Sequence, residues 1–383
     1  MKKHPKKLMI PGPVEVEQDV LAEMGSPVVS HYGEEWTEIY NETVELARKV
    51  FQTNNEHIFL IPGSGSAGLD AALGSTLQGD RKLLVPINGW FGNRLKNIAS
   101  THSDEVDTID FELGSSVDPD QVKQYLEKNP EVEVLAITHC ETSTGVSNPV
   151  EEIGKICSRQ EVLFIVDAVS SLGASQLKTD EWDVDICITA SQKGLEAPPG
   201  LALVSVSPTA WELVEKTSDP GWYLNLKTWK KFALDWADWH PFPVTMAVNN
   251  VLALRRSLIR ILDEGLNERF KRHKQLTEFL RESLRNLGFS LFVEDRFASS
   301  TVTSVEAGSK VDIDGLMEYL ETERSIKIAG SLGEMEGRLF RIGHMGPGAS
   351  YDALLPLLFG IEEYLRRIGA DIVQGQFLKE NSD

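Results

Sequence analysis

Cysteine is scarce in this chain of 383 residues: there are three, Cys140, Cys157 and Cys187, with no Cys-x-x-Cys pair among them. An odd, scattered set excludes a disulfide framework and a thiolate zinc site, and it suits a reducing compartment, so a cytoplasmic location is expected. Long apolar runs are also missing; none approaches the roughly 18 residues of a membrane span. The first nine residues carry four lysines with no apolar stretch behind them, which is not the pattern of a secretory leader. Basic charge is in deficit: 38 Lys+Arg against 58 Asp+Glu leave a net charge of −20. That balance argues against nucleic acid or an anionic membrane as a partner. There is no internal repeat and no low-complexity tract. Glu380-Asn381-Ser382-Asp383 carries no address, and the last dozen residues are expected to fray.

What is present is an ordinary globular composition, 41% hydrophobic and 25% charged, long enough for two to three domains at about 150 residues each. Short apolar runs at 82–86, 132–138, 162–167, 185–190 and 201–206 read as strands buried on both faces. Helical spacing fills 67–77, 91–100, 118–128 and 149–159 between them. The third of these opens with Asp118 as N-cap and Pro119 in the first turn. This alternation predicts an α/β fold with a mostly parallel sheet sandwiched by helices, and ligands at the carboxyl ends of the strands. Past about residue 245 the pattern changes. Long helices at 245–262 and 266–287 lead into mixed strands and helices, a smaller α+β domain. The expected division is 1–264 for an N-terminal segment and the large domain, and 265–383 for the small one.

Three stretches carry chemistry. Pro62-Gly63-Ser64-Gly65-Ser66-Ala67-Gly68 runs into a helix, where free N–H groups and the helix dipole attract an anion such as phosphate. Gly63, Gly65 and Gly68 also match a nicotinamide-type fingerprint, with Asp80 as a poorly placed acid; that is the alternative oxidoreductase reading. An apolar strand ends in Asp167, a carboxylate able to hold a protonated ring nitrogen. Another is followed by Ser191-Gln192-Lys193-Gly194, and a desolvated lysine there becomes a nucleophile that forms Schiff bases. Together these are what pyridoxal 5′-phosphate (PLP) requires.

On Pro11-Gly12-Pro13, Val166-Asp167-Ala168-Val169-Ser170-Ser171-Leu172-Gly173, Ser191-Gln192-Lys193-Gly194-Leu195, His139–Gly145 and Arg341-Ile342-Gly343, the chain resembles the class V, fold-type I PLP-dependent aminotransferases. The likeness is greatest to the alanine–glyoxylate and serine–glyoxylate group. It implies that Lys193 holds PLP and moves the substrate proton, and that Asp167 pairs with the ring nitrogen. It implies that Ser64, Gly65 and Ser66 hold the phosphate with help from Gln192. Phe91 would stack on the ring, with Trp90 as the neighbouring alternative. Thr142 would meet the ring hydroxyl, and Arg341 would clamp the substrate carboxylate. It implies a homodimer that moves an amino group from a small amino donor to a 2-oxo acid acceptor by a ping-pong route. Two stretches depart from the family. Tyr32 stands where the family often has a cation, which implies an altered entrance and a role in substrate choice. Pro241 stands in place of a threonine that reaches the partner subunit's phosphate, and proline has no donor for that contact. Residues 221–243, rich in tryptophan, are expected at the subunit contact. A lyase or desulfurase, a pyridoxamine-processing aminotransferase and a scaffold without activity are the other readings; no cysteine lies on the glycine-rich loop a desulfurase would use.

Overall fold

The computed structural model describes residues 6–77, 81–308 and 311–379. Asp80 and Glu380–Asp383 lie outside the described residues. The chain begins with β1 (Lys7–Leu8), α1 (Gln18–Met24) and α2 (Glu34–Phe51). Strand and helix then alternate: β2 (His57–Pro62), α3 (Gly65–Leu77), β3 (Lys82–Ile87), α4 (Trp90–Ala99), β4 (Val106–Asp110), α5 (Pro119–Lys128) and β5 (Val132–Thr138). A ribbon of β6 (Cys140–Glu141) and β7 (Val146–Ser147) leads to α6 (Val150–Arg159), β8 (Leu163–Asp167), β9 (Ile186–Ala190) and β10 (Leu201–Val206). Seven of these strands form one sheet in the order β2-β10-β9-β8-β5-β3-β4. All are parallel except β10, which runs against both neighbours.

The sequence dictates this locally. β8, β9 and β10 are buried at every position, as strands covered on both faces must be. Asp118 caps α5 by accepting the Asp120 N–H at 3.0 Å, with Pro119 in the first turn. α3 crosses the sheet closely: a Cβ on Gly68 would lie 2.8 Å from Ile188 Cγ2. Gly68 is therefore a packing glycine, set by the close approach of α3 to β9 and β10.

Beyond β10 come α7 (Pro208–Lys216), α8 (Leu226–Asp235), α9 (Val248–Glu264) and α10 (Leu266–Asn286). They are followed by β11 (Ser290–Leu291), β12 (Val302–Glu306), α11 (Ile313–Glu323), β13 (Ile326–Lys327), β14 (Ala329–Gly330), β15 (Leu339–Gly343) and α12 (Tyr351–Arg367). β11, β12, β15 and β14 make an antiparallel sheet. One hydrophobic core spans Trp36 to Ile261; a second spans Leu276 to Phe377. The second also takes in Met9, and β1 pairs with β13. Residues 7–9 thus pack with the C-terminal part, not with the first part of the chain. Of the end expected to fray, the described residues up to Lys379 are held: Phe377 is buried against Phe359 at 4.8 Å, and Asn286 Nδ2 donates to Lys379 O at 2.6 Å.

Candidate active site

Asp167 closes β8, and Lys193 lies in the turn that follows the adjacent strand β9. Both are therefore at carboxyl ends of parallel strands, where α/β sheets bind ligands. Ala168 N–H donates to Ile188 O at 2.8 Å, which ties one turn to the other strand. Glu196 N–H donates to Lys193 O at 3.0 Å and Ser191 Oγ to Pro198 O at 2.7 Å, which fix the lysine turn. Asp167 is 5% exposed, and its Oδ1 accepts the Val169 N–H at 2.9 Å. Burial pushes its carboxyl up to about 6, with the Val169 N–H opposing and the Glu141 charge adding. Burial pulls the Lys193 ammonium down to about 8, and the charge of Arg341 also lowers it while that of Asp167 raises it. Lys193 Nζ donates to Pro11 O. A Cβ on Gly12, where φ is +125°, would lie 2.5 Å from Lys193 Cδ, so only glycine fits beside the amine.

α3 begins on top of this pair. A Cβ on Gly65 would lie 2.8 Å from Val169 Cγ2 and 3.3 Å from Ala190 Cβ. The first N–H groups of α3 thus open beside the Asp167 turn. Among the described residues, the hydroxyls of Ser64 and Ser66 have no hydrogen-bond partner. Gln192 Oε1 is buried and unpartnered, which leaves one end of that amide for a ligand.

Glu141 builds the opposite wall. Fully buried, it caps α4: Oε2 accepts the N–H of Phe91 at 2.9 Å and of Gly92 at 3.0 Å. Oε1 accepts Ser143 N–H at 3.0 Å, and Ser143 Oγ accepts Trp90 N–H at 3.0 Å. Phe91 is half-buried with the Arg94 guanidinium 4.7 Å over its ring, whereas Trp90 is 45% exposed. Arg94 in turn adds its positive field to Lys193 and Asp167. Next to Glu141, buried Thr142 offers its carbonyl to Arg341 Nη1 at 2.8 Å, and Arg341 Nε donates to Gly330 O at 2.9 Å. Among the described residues no carboxylate pairs with Arg341 and Nη2 has no partner. Burial lowers this guanidinium to about 10, opposed by Glu141.

The fold thus gathers Ser64, Gly65, Ser66, Phe91, Thr142, Asp167, Gln192, Lys193 and Arg341. Tyr32 stands apart: it is 56% exposed, edge-on to His31 at 5.4 Å and to Trp239 at 6.2 Å. The tryptophans divide, with Trp211 and Trp229 buried and Trp222, Trp236 and Trp239 exposed. Sequence patterns assign no role to Glu141, Arg94 or the Pro11 carbonyl. Glu141 has a signal, an acid three residues past the buried strand β5; Pro11 has none, being remote in sequence from Lys193. The three cysteines are free and buried, and burial raises each thiol, Cys140 to about 11. A reactive thiolate for a desulfurase is therefore not among them.

The chain matches the family described as Aminotransferase class-V over residues 14–335. It is 38% identical to an uncharacterized aminotransferase of Methanocaldococcus jannaschii, over 96% of this chain and 94% of that protein. The solved ureidoglycine–glyoxylate aminotransferase of Bacillus subtilis superposes with a TM-score of 0.94 at 33% identity, covering 99% of this chain and 97% of that one. The alanine–glyoxylate aminotransferase of Nostoc sp. superposes at 0.91 with 31% identity, covering 96% and 97%.

Proposed function

This chain belongs to the class V aminotransferases, an α/β enzyme of fold type I, and on that premise we propose its cofactor, its substrates and the duties of its residues. The family depends on PLP, and the residues present suit that group. A lysine amine lowered by burial, an unpaired buried carboxylate, an open helix start and an orphaned Gln192 amide oxygen face one region. When bound, PLP supplies the electron sink that acidifies the substrate's α-carbon.

Lys193 Nζ would hold the cofactor and, once released as a neutral amine, would carry the α-proton. Asp167 would face the ring nitrogen, Phe91 the ring and Thr142 the ring hydroxyl. The N–H groups at Gly65 and Ser66, with Ser64, Ser66 and Gln192 side chains, would hold the phosphate. Arg341 Nη2 would take the carboxylate of the amino donor and then that of the 2-oxo acid, so one fork serves both halves of a ping-pong reaction. We read the donor as a small amino acid, alanine- or serine-like, and the acceptor as glyoxylate or pyruvate. The glyoxylate enzymes among the relatives support the acceptor. A homodimer would cover the exposed Tyr32, Trp236 and Trp239 and bring Tyr32 to a substrate. The free cysteines suit a cytoplasmic enzyme. We place the division between its two domains at Gly265.

The observation that carries this reading is the pair of buried charges, Asp167 and Lys193, on neighbouring strand ends, neither with an ion-pair partner among the described residues. Its test is the visible spectrum of the purified protein with PLP, before and after alanine, serine, aspartate, ureidoglycine and pyridoxamine are added singly. Loss of the cofactor band with alanine or serine is expected. Loss only with pyridoxamine would move the enzyme to vitamin processing, and no band at all would overturn the PLP assignment.

A further inference from the structure

We propose that Arg269, a residue outside the site, is the positioning residue that fixes the three loops following Asp167, Lys193 and Arg341 relative to one another. The inference rests on the duties proposed above for those three residues.

Arg269 lies in the first turn of α10, its N–H bonded to Gly265 O at 3.0 Å, and its side chain is 2% exposed. Its guanidinium is used on every nitrogen. Nε donates to Gly173 O, in the turn after Asp167. Nη2 donates to Gly194 O at 3.0 Å, directly after Lys193, and pairs with Glu196. Nη1 pairs with Glu264 at 2.8 Å. The first two loops press together: a Cβ on Gly173, where φ is +80°, would lie 2.9 Å from Gly194 O. The third loop enters through the same carboxylates. Glu264 also binds Arg272, which donates to Ala349 O at 2.5 Å, and a Cβ on Gly346 would lie 2.5 Å from Glu196 Cγ. His273 Nε2 accepts the Gly346 N–H at 3.1 Å. Gly346 and Ala349 follow β15, the strand that carries Arg341. The first two turns of α10 therefore hold all three loops by their backbones. A planar fork with five donors can serve three directions at once; a lysine ammonium is one point charge and cannot.

The test compares Arg269→Lys with wild type, and Glu196→Gln as a second variant that keeps Arg269 and neutralises one of its two carboxylate partners. Hydrogen exchange on the cofactor-free protein is the readout independent of chemistry. Faster exchange is expected together in the segments around Gly173, around Gly194 and around Gly346. In the loaded enzyme, kcat/KM for the amino donor is expected to fall about 10²-fold, the effect of a misplacement near 1 Å. The pH midpoint of the cofactor band is expected to shift. Faster exchange confined to α10, with an unmoved pH midpoint and unchanged kcat/KM, would make Arg269 merely structural and overturn the proposal. If wild type shows no transamination at all, the functional reading fails, while the exchange experiment still decides whether one residue holds three loops.

Discussion

Arg269 and Arg341 are both buried guanidiniums, 2% and 6% exposed, and the protein treats them in opposite ways. Arg269 meets two carboxylates and two backbone carbonyls. Arg341 meets two carbonyls and, among the described residues, no carboxylate. Its neighbours share that condition: neither Asp167 nor Lys193 has an ion-pair partner there. A buried charge left open is costly, and it persists where something other than the chain completes it. A buried charge that is fully paired costs most when one member is removed. The first pattern marks where chemistry is done, and the second marks what holds its parts in place.

That contrast can be broken by exchanging which set is damaged. The largest effect should come from Lys193→Ala, with kcat falling by about 10²–10⁴-fold or more, on the order of a lost proton-transfer group. The melting temperature of the cofactor-free protein should stay level or rise, because an open charge has been removed; a collapse in calorimetry would place Lys193 in the closed set instead. Glu196→Ala should instead destabilise the fold by about 3–5 kcal/mol in urea titration, the cost of stranding one member of a buried pair. An unchanged midpoint would mean that the network adds nothing.

Arg341→Lys should raise KM for both donor and 2-oxo acid while kcat changes less. The loss is about 1.5–3 kcal/mol, a charge-assisted hydrogen bond's worth. Equal falls in kcat for saturating donor would show that the group acts elsewhere than on the carboxylate.

The smallest effect is a slope. Asp167 is raised in the folded state from an ordinary 3.8 to about 6. The folded state then binds the proton more tightly, so its contribution to stability is full below about pH 4 and is lost as pH rises through about 6. Lys193, lowered from 10.5 to about 8, works in the other sense: its penalty stands below pH 8 and disappears toward 10.5. Asp167→Asn, measured cofactor-free, should therefore melt close to wild type near pH 4 and increasingly above it as pH rises to about 6. A flat difference would contradict the raised carboxyl.

Much of the open set is legible in the amino-acid sequence alone. Asp167 and Lys193 each follow a short apolar run with no alternation, and such runs fit strands covered on both faces. The charge at the end of each is therefore conspicuous. The glycines before α3 carry the anion site in the same local way. The closed set is not legible. Arg269 sits in an amphipathic helix with many charges, and nothing in a 3.6-residue period separates an arginine bonded to distant carbonyls from one in water. Glu196 and Gly173 lie far from it along the chain. Tyr32 is conspicuous only by its place in a motif, and no local pattern says that the fold turns it toward Trp239. Helix α2 and strand β2 also escape a reading by alternation, because the regular succession of apolar runs and helical spacing becomes plain only from residue 82.

The wall beside Lys193 is built from distant parts of the chain. Pro11 O receives Lys193 Nζ, while Met9 O accepts the Gly343 N–H and Lys7 pairs with Ile326. Residues 7–11 are synthesised long before β13 and β15, so they are among the last to find their partners. The seven-stranded sheet can assemble on the way, but the site can close only after β15 has left the ribosome. A nascent chain halted before that point would present a folded sheet with an open amine and no competent centre.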